Sequence, residues 1–172
     1  SADGGIFIWD GSSLSVHRSA SDLNSDVPAE SGSFDACDGA ATNGDSIYFV
    51  LRSSNTNDNY LYKTEAADAS NNAFKKFNGA NALAAGENTV YIGGVAAFGA
   101  PENGIYEIGS DLSGSVNAFA TNSDVNPAAI TLDSQGSLFG FSSSFGSGDF
   151  ESTLFTVDVT QSSPSIAAYL NP

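Results

Sequence analysis

Apolar and polar residues alternate along this chain in short bursts, and clusters of Gly, Asn, Asp and Ser separate one burst from the next. The clearest group lies near the C-terminus. Residues 128–132 (Ala-Ala-Ile-Thr-Leu) form a short run, Asp133-Ser134-Gln135-Gly136 carries turn chemistry, and Ser137-Leu138-Phe139-Gly140-Phe141 alternates as a half-buried strand does. After a longer polar loop, residues 153–158 read as a third strand, 161–164 as a turn and 165–170 as a fourth strand. These four strands are called a, b, c and d.

The same order of strands recurs upstream. Strand b returns as Ser46-Ile47-Tyr48-Phe49-Val50 and as Thr89-Val90-Tyr91-Ile92, each behind a turn with acid, amide and glycine. Val90 follows Ile47 by 43 positions and Leu138 follows Val90 by 48. Strand c returns as Tyr60-Leu61-Tyr62-Lys63 and Gly104-Ile105-Tyr106-Glu107-Ile108, which share an aliphatic-aromatic pair with Leu154-Phe155. Leu61, Ile105 and Leu154 are therefore expected in equivalent positions, with their aromatic neighbours on the opposite face of each sheet. Fainter d strands fall at 73–77 and 115–119. At the N-terminus, Gly5 to Asp10 matches strand c and Ser13 to His17 matches strand d, with no a or b before them. The predicted fold class is all-β, in four-stranded antiparallel repeats at 34–77, 80–120 and 128–170, preceded by a half unit at 5–17.

Units of this period resemble β-propeller blades, which run to about 40–50 residues each. The resemblance covers nearly the whole chain but is one of architecture. The three full units carry no Trp-Asp dipeptide at the end of strand c, no kelch double glycine in a fixed place and no tryptophan docking motif of the quinoprotein kind. It implies a propeller-like domain, or a fragment of one, over residues 1–172, with three full blades and an N-terminal half blade.

Composition narrows the function. Twenty Asp and Glu face only five bases, Arg18, Arg52, Lys63, Lys75 and Lys76, for a formal net charge of −15. Nucleic acid is thus not expected as a partner, since phosphate binding depends on clustered Lys and Arg. No apolar run is long enough to span a bilayer, so membrane insertion is not expected either. A lysine-poor carboxylate surface resembles that of secreted or surface proteins of salt-loving microbes and stays hydrated when salt screens repulsion. An extracellular or surface-exposed, acidic and halophilic protein is expected, with a processed N-terminus because the chain starts Ser-Ala-Asp. Cys37 is the only cysteine, which excludes an internal disulfide, and it reads as a small buried hydrophobe.

Candidate chemistry sits in loops. In an up-and-down meander the a-to-b and c-to-d turns share one face, and here the b-to-c and d-to-a loops on the other face are longer, so binding is expected there. Asn55, Asn57, Asp58 and Asn59 place oxygens at close spacing, which makes Ca2+ the one cofactor to weigh, though the central glycine and closing acid of an EF-hand are missing and plain turn chemistry competes. Phe98, Asn103, Phe145, Asp149 and Phe150 are the candidate ligand-binding residues, because rings beside polar groups suit a glycan or a protein surface. The competing reading folds those rings back as loop anchors. No catalytic residue is assigned: His17 is the only histidine and lies on an outer strand. The open strand at Gly5, Ile6, Phe7, Ile8, Trp9 and Asp10 is expected to be an interface, completed by another protein chain or subunit. A non-catalytic binding or structural module is the first expectation. A subunit of an extracellular or virion assembly is the alternative, and a hydrolase or lyase comes third.

Overall fold

The computed structural model describes residues 5–27, 34–54 and 56–169. It is all-β with antiparallel sheets. An N-terminal hairpin pairs β1 (Gly5–Trp9) with β2 (Leu14–Ser19), and one helix, α1 (Ala20–Asp26), follows. Three four-stranded sheets come next, each built by strands in chain order. The first holds β3 (Phe34–Asn43), β4 (Ser46–Ser53), β5 (Asn59–Glu65) and β6 (Asn72–Lys76). The second holds β7 (Ala80–Ala85), β8 (Thr89–Gly94), β9 (Gly104–Gly109) and β10 (Asn117–Thr121). The third holds β11 (Pro127–Leu132), β12 (Ser137–Ser142), β13 (Thr153–Asp158) and β14 (Ala167–Ala168).

Local chemistry explains the short connections. Asn43 pairs with Ser46, so Gly44 and Asp45 close a two-residue hairpin, and Gly44 supplies the positive φ of 58° that such a turn needs. At the equivalent turn of the third sheet, Oδ1 of Asp133 accepts the backbone N–H groups of Gln135 and Ser137, both at 2.8 Å.

The sheets pack face to face, with β7 lying between β3 and β11. Small residues make that approach close. A Cβ on Gly39 would stand 3.1 Å from the Ala82 Cα, and one on Gly93 would stand 2.9 Å from the Pro127 Cβ. Two amides stitch neighbouring sheets: Asn43 Nδ2 donates to the Gly86 carbonyl at 2.6 Å, and Asn81 Nδ2 to the Pro127 carbonyl at 2.9 Å.

Three apolar layers result. Leu51, Tyr60 and Tyr62 of the first sheet pack with Ile6 of the hairpin and Leu23 and Val27 at α1. Tyr48, Val50 and Leu61, on the other face of that sheet, pack with Val90, Ile92, Tyr106 and Ile108 of the second. Tyr91 and Ile105, on the far face of the second, pack with Leu138, Phe155 and Val157 of the third. Period-2 alternation thus gives the first two sheets two buried faces each. The expected strand-c equivalence holds: Leu61, Ile105 and Leu154 pair with Val50, Gly93 and Phe141, while Tyr62, Tyr106 and Phe155 turn the other way.

Some expectations are corrected. Residues 20–26, in the first d-to-a connection between His17 and the unit starting at 34, are helix rather than the expected loop, because Ser19 caps the Asp22 amide while the Asp22 carboxylate accepts from the Ser19 backbone N–H, a reciprocal capping box. The helix is then tied down by Asp26, which pairs with Arg18 and accepts from the Tyr62 hydroxyl at 2.7 Å. Cys37 is exposed rather than buried. Strand d is shorter than expected in the third sheet, reduced to Ala167–Ala168.

Candidate functional site

A bulge recurs at an equivalent register position of strand a in every full sheet. Cys37 pairs with Leu51 and Gly39 with Val50, leaving Asp38 unpaired between them; the same shift leaves Asn81 between Ala80 and Ala82, and Ala128 between Pro127 and Ala129. An inserted residue breaks the pleat and re-aims its side chain. Asp38 and Asn81 consequently both line a groove of about 370 Å³ between the first and second sheets, together with Arg52, Asn57, Asn59 and Phe98.

The groove wall is rigidly built. Phe98 ends a 3₁₀ turn at Ala96–Phe98, and its own N–H donates to the Val95 carbonyl at 3.0 Å. Asn103 fastens that turn: its Oδ1 accepts from the Ala96 N–H at 2.7 Å, and its Nδ2 donates to the Ser123 carbonyl at 3.0 Å. Phe98 itself remains 59% exposed. A second groove is lined by Ala96, Glu102, Asn103 and Asn122. In the same groove, Asn59 Nδ2 donates to Asp38 Oδ2 at 3.2 Å, and Arg52 Nη1 lies 3.8 Å from Asp38 Oδ1. An exposed aromatic side chain thus lines the same groove as oriented hydrogen-bond donors and acceptors.

The four candidate metal residues separate. Asn55 lies outside the described residues. Asn57 adopts a φ of 56° and contributes to the groove. The Asp58 carboxylate accepts from Lys76 Nζ at 2.7 Å and Asn78 Nδ2 at 2.9 Å, contacts that with Thr56 hold it below the usual carboxylate range, led by Lys76. Asn59 divides its amide between Asp38 and the Gly79 N–H. Among the described residues no three His, Cys, Asp or Glu side chains come together as a metal-holding group.

The third-sheet candidates also divide. Phe145 is 84% exposed at its loop tip, and Asp149 is exposed in the 3₁₀ turn Gly148–Phe150. Phe150 is buried with Tyr91, Leu138 and Phe155, so it is a loop anchor rather than a contact ring. His17 is half-buried, with Nε2 3.2 Å from Thr64 Oγ1. In the hairpin, Ile6 turns inward, Phe7 and Trp9 are exposed, and Gly5 and Ile8 pair with Ser19 and Ser15. Asp10 caps the turn by accepting from the Ser12 and Ser13 N–H groups, both at 2.8 Å, which holds its carboxyl far below the ordinary range. Among the described residues β1 pairs with β2 alone.

Sequence reading missed Asp38, Arg52 and Asn81. The signal of Asp38 and Asn81 is the register shift, a property of strand pairing, whereas Arg52 is regularly paired with Ala36 and Asn59 and reaches the groove from the end of β4. The chain defines an all-β array of antiparallel meanders with a polar, aromatic-walled groove on its loop face. Comparison with protein-family models, curated proteins and solved structures finds no match for it.

Proposed function

We propose that the protein is a non-catalytic recognition module of propeller-like architecture, acting at a cell surface or outside the cell, whose long-loop face binds a neutral glycan. One observation carries this reading: the exposed Phe98 ring shares a groove with Asp38, Arg52, Asn57 and Asn81. An aromatic face packs on the C–H side of a pyranose, while carboxylate, guanidinium and amide groups bond its hydroxyls. A second groove lined by Ala96 of the same 3₁₀ turn and by Asn103 suits a chain of sugars over a single unit. Carbohydrate fits the acidic surface better than an anionic ligand, because the five bases include only Arg52 among the residues named at this groove.

An array of neutral oligosaccharides, followed by calorimetry on any that bind, tests the reading. Phe98→Ala is expected to weaken binding at least about tenfold, a loss of about 1.4 kcal/mol, with the melting temperature unchanged. Repeating the array with calcium and with chelator separates direct binding from metal-bridged binding. Absence of any bound neutral glycan, or equal binding by Phe98→Ala, overturns it.

The assembly reading is favoured by a separate observation: the hairpin carries Phe7, Trp9, Leu14 and Val16 exposed. In that reading another chain completes the N-terminal half blade.

A further inference from the structure

Among the described residues, the strand-c contacts between successive units follow one rule. The aliphatic member of the strand-c pair faces the next unit, and the aromatic member faces the preceding one. Leu61 packs against the second sheet and Ile105 against the third; Tyr62 packs under the hairpin and α1, Tyr106 against the first sheet and Phe155 against the second. Ile6 obeys the rule too, since it is buried against the first sheet. At strand c, the aliphatic side chain of one unit therefore always packs on the face of the next unit that carries its strand-c aromatic.

Among the described residues, each end of the array displays one unmatched half of this contact. Leu61 and Ile105 are 1% and 0% exposed, yet the equivalent Leu154 is 42% exposed. Around it, Ala129, Phe139, Phe141 and Tyr169 help line a shallow depression of about 270 Å³ with no charged residue. At the other end Phe7 is 50% exposed, although its counterparts Tyr62, Tyr106 and Phe155 are all buried. Phe7 pairs across the hairpin with Val16, and Trp9 with Leu14, so pleating puts all four exposed side chains on one face.

We propose that these two faces bind each other between copies: the outer face of the hairpin of one copy seats on the outer face of the third sheet of a second. The occupant is argued from the chain itself, because the exposed faces are the two matching halves of a contact that its own units already make in succession. No residue lining the depression is charged, and neither are Phe7, Trp9, Leu14 and Val16, so these apolar patches can meet without burying any of the −15 net charge. The interface is head-to-tail, and such contacts close into rings or extend as filaments.

Sedimentation and light scattering of the intact chain, from micromolar to millimolar concentration in moderate and molar salt, test the proposal. The mass is expected to rise above the 17.6 kDa of one copy as concentration rises. Phe7→Glu and Leu154→Glu are each expected to abolish the rise. Mixing the two is expected to restore a species of twice the monomer mass that grows no further, because each variant keeps the face the other lacks. Both positions are exposed, and far-ultraviolet circular dichroism checks that the variants fold. Trp9→Glu with Phe141→Glu is expected to repeat the pattern. Phe98→Ala is expected to associate normally, which separates this contact from the glycan groove. A wild-type mass of one copy throughout, a mixture that stays monomeric, or association lost in Leu154→Glu but kept in Phe7→Glu overturns it. The last result would mean that the third sheet pairs with itself.

Discussion

The Tyr48 hydroxyl donates to the carbonyl oxygen of Ser110 at 2.9 Å, across two sheets. Tyr48 itself is almost completely buried between them. A strand-b aromatic of the first sheet thereby pins the c-to-d turn of the second, a contact made by sequence-distant residues. Tyr48→Phe keeps the ring packing and leaves the Ser110 carbonyl without this donor. It is expected to cost about 1 kcal/mol, measured by urea unfolding. An unchanged midpoint would show that water replaces the hydroxyl without loss.

Equivalent positions should not be equally sensitive. Ile105→Ala empties a fully buried site between the second and third sheets and is expected to cost about 2–5 kcal/mol. Leu154→Ala, measured in dilute protein, is expected to cost about 0.5 kcal/mol or less because the same register position lies open. Equal losses at the two positions would contradict the burial pattern.

Salt should stabilise the fold. With 20 acids against five bases, self-repulsion acts on the compact state and weakens as the screening length contracts from about 10 Å at 0.1 M to about 3 Å at 1 M. Melting temperatures are expected to rise through that range of sodium chloride. A flat or falling series would rule out a halophilic surface.

Acid should act in the opposite direction once repulsion is screened. Asp10, Asp68, Asp111 and Asp158 accept hydrogen bonds from residues two or three positions on, and each carboxyl is held below its ordinary value. A carboxyl lowered in the folded state contributes stability that is present above its unfolded value near 3.9 and is lost as pH falls through the folded one. In molar salt the melting temperature is expected to fall from about pH 4 downward. Thermal melts between pH 6 and 2 check it, and a rise on acidification would refute it.

What the sequence determined by itself is the repeat. Leu61-Tyr62, Ile105-Tyr106 and Leu154-Phe155 announce strand c because alternation is a property of neighbours in the chain, and the glycine and Asx turns beside them depend on local sterics and hydrogen bonds. Ser19 with Asp22 also spelled a helix start, local information that polar composition concealed. The tertiary structure alone decided which side chains share a groove. Asp38 and Asn81 reach it through bulges, which exist only once two strands are in register, and Phe98 joins them because sheet packing brings two loops together. It also decided that Phe150 turns inward while Phe145 stays out, since a ring's burial depends on the neighbouring sheet, Tyr91 and Leu138 in this case. Leu154 makes the same point, because its sequence pattern matches Leu61 and Ile105 and only the absence of a following unit in the described array leaves it uncovered.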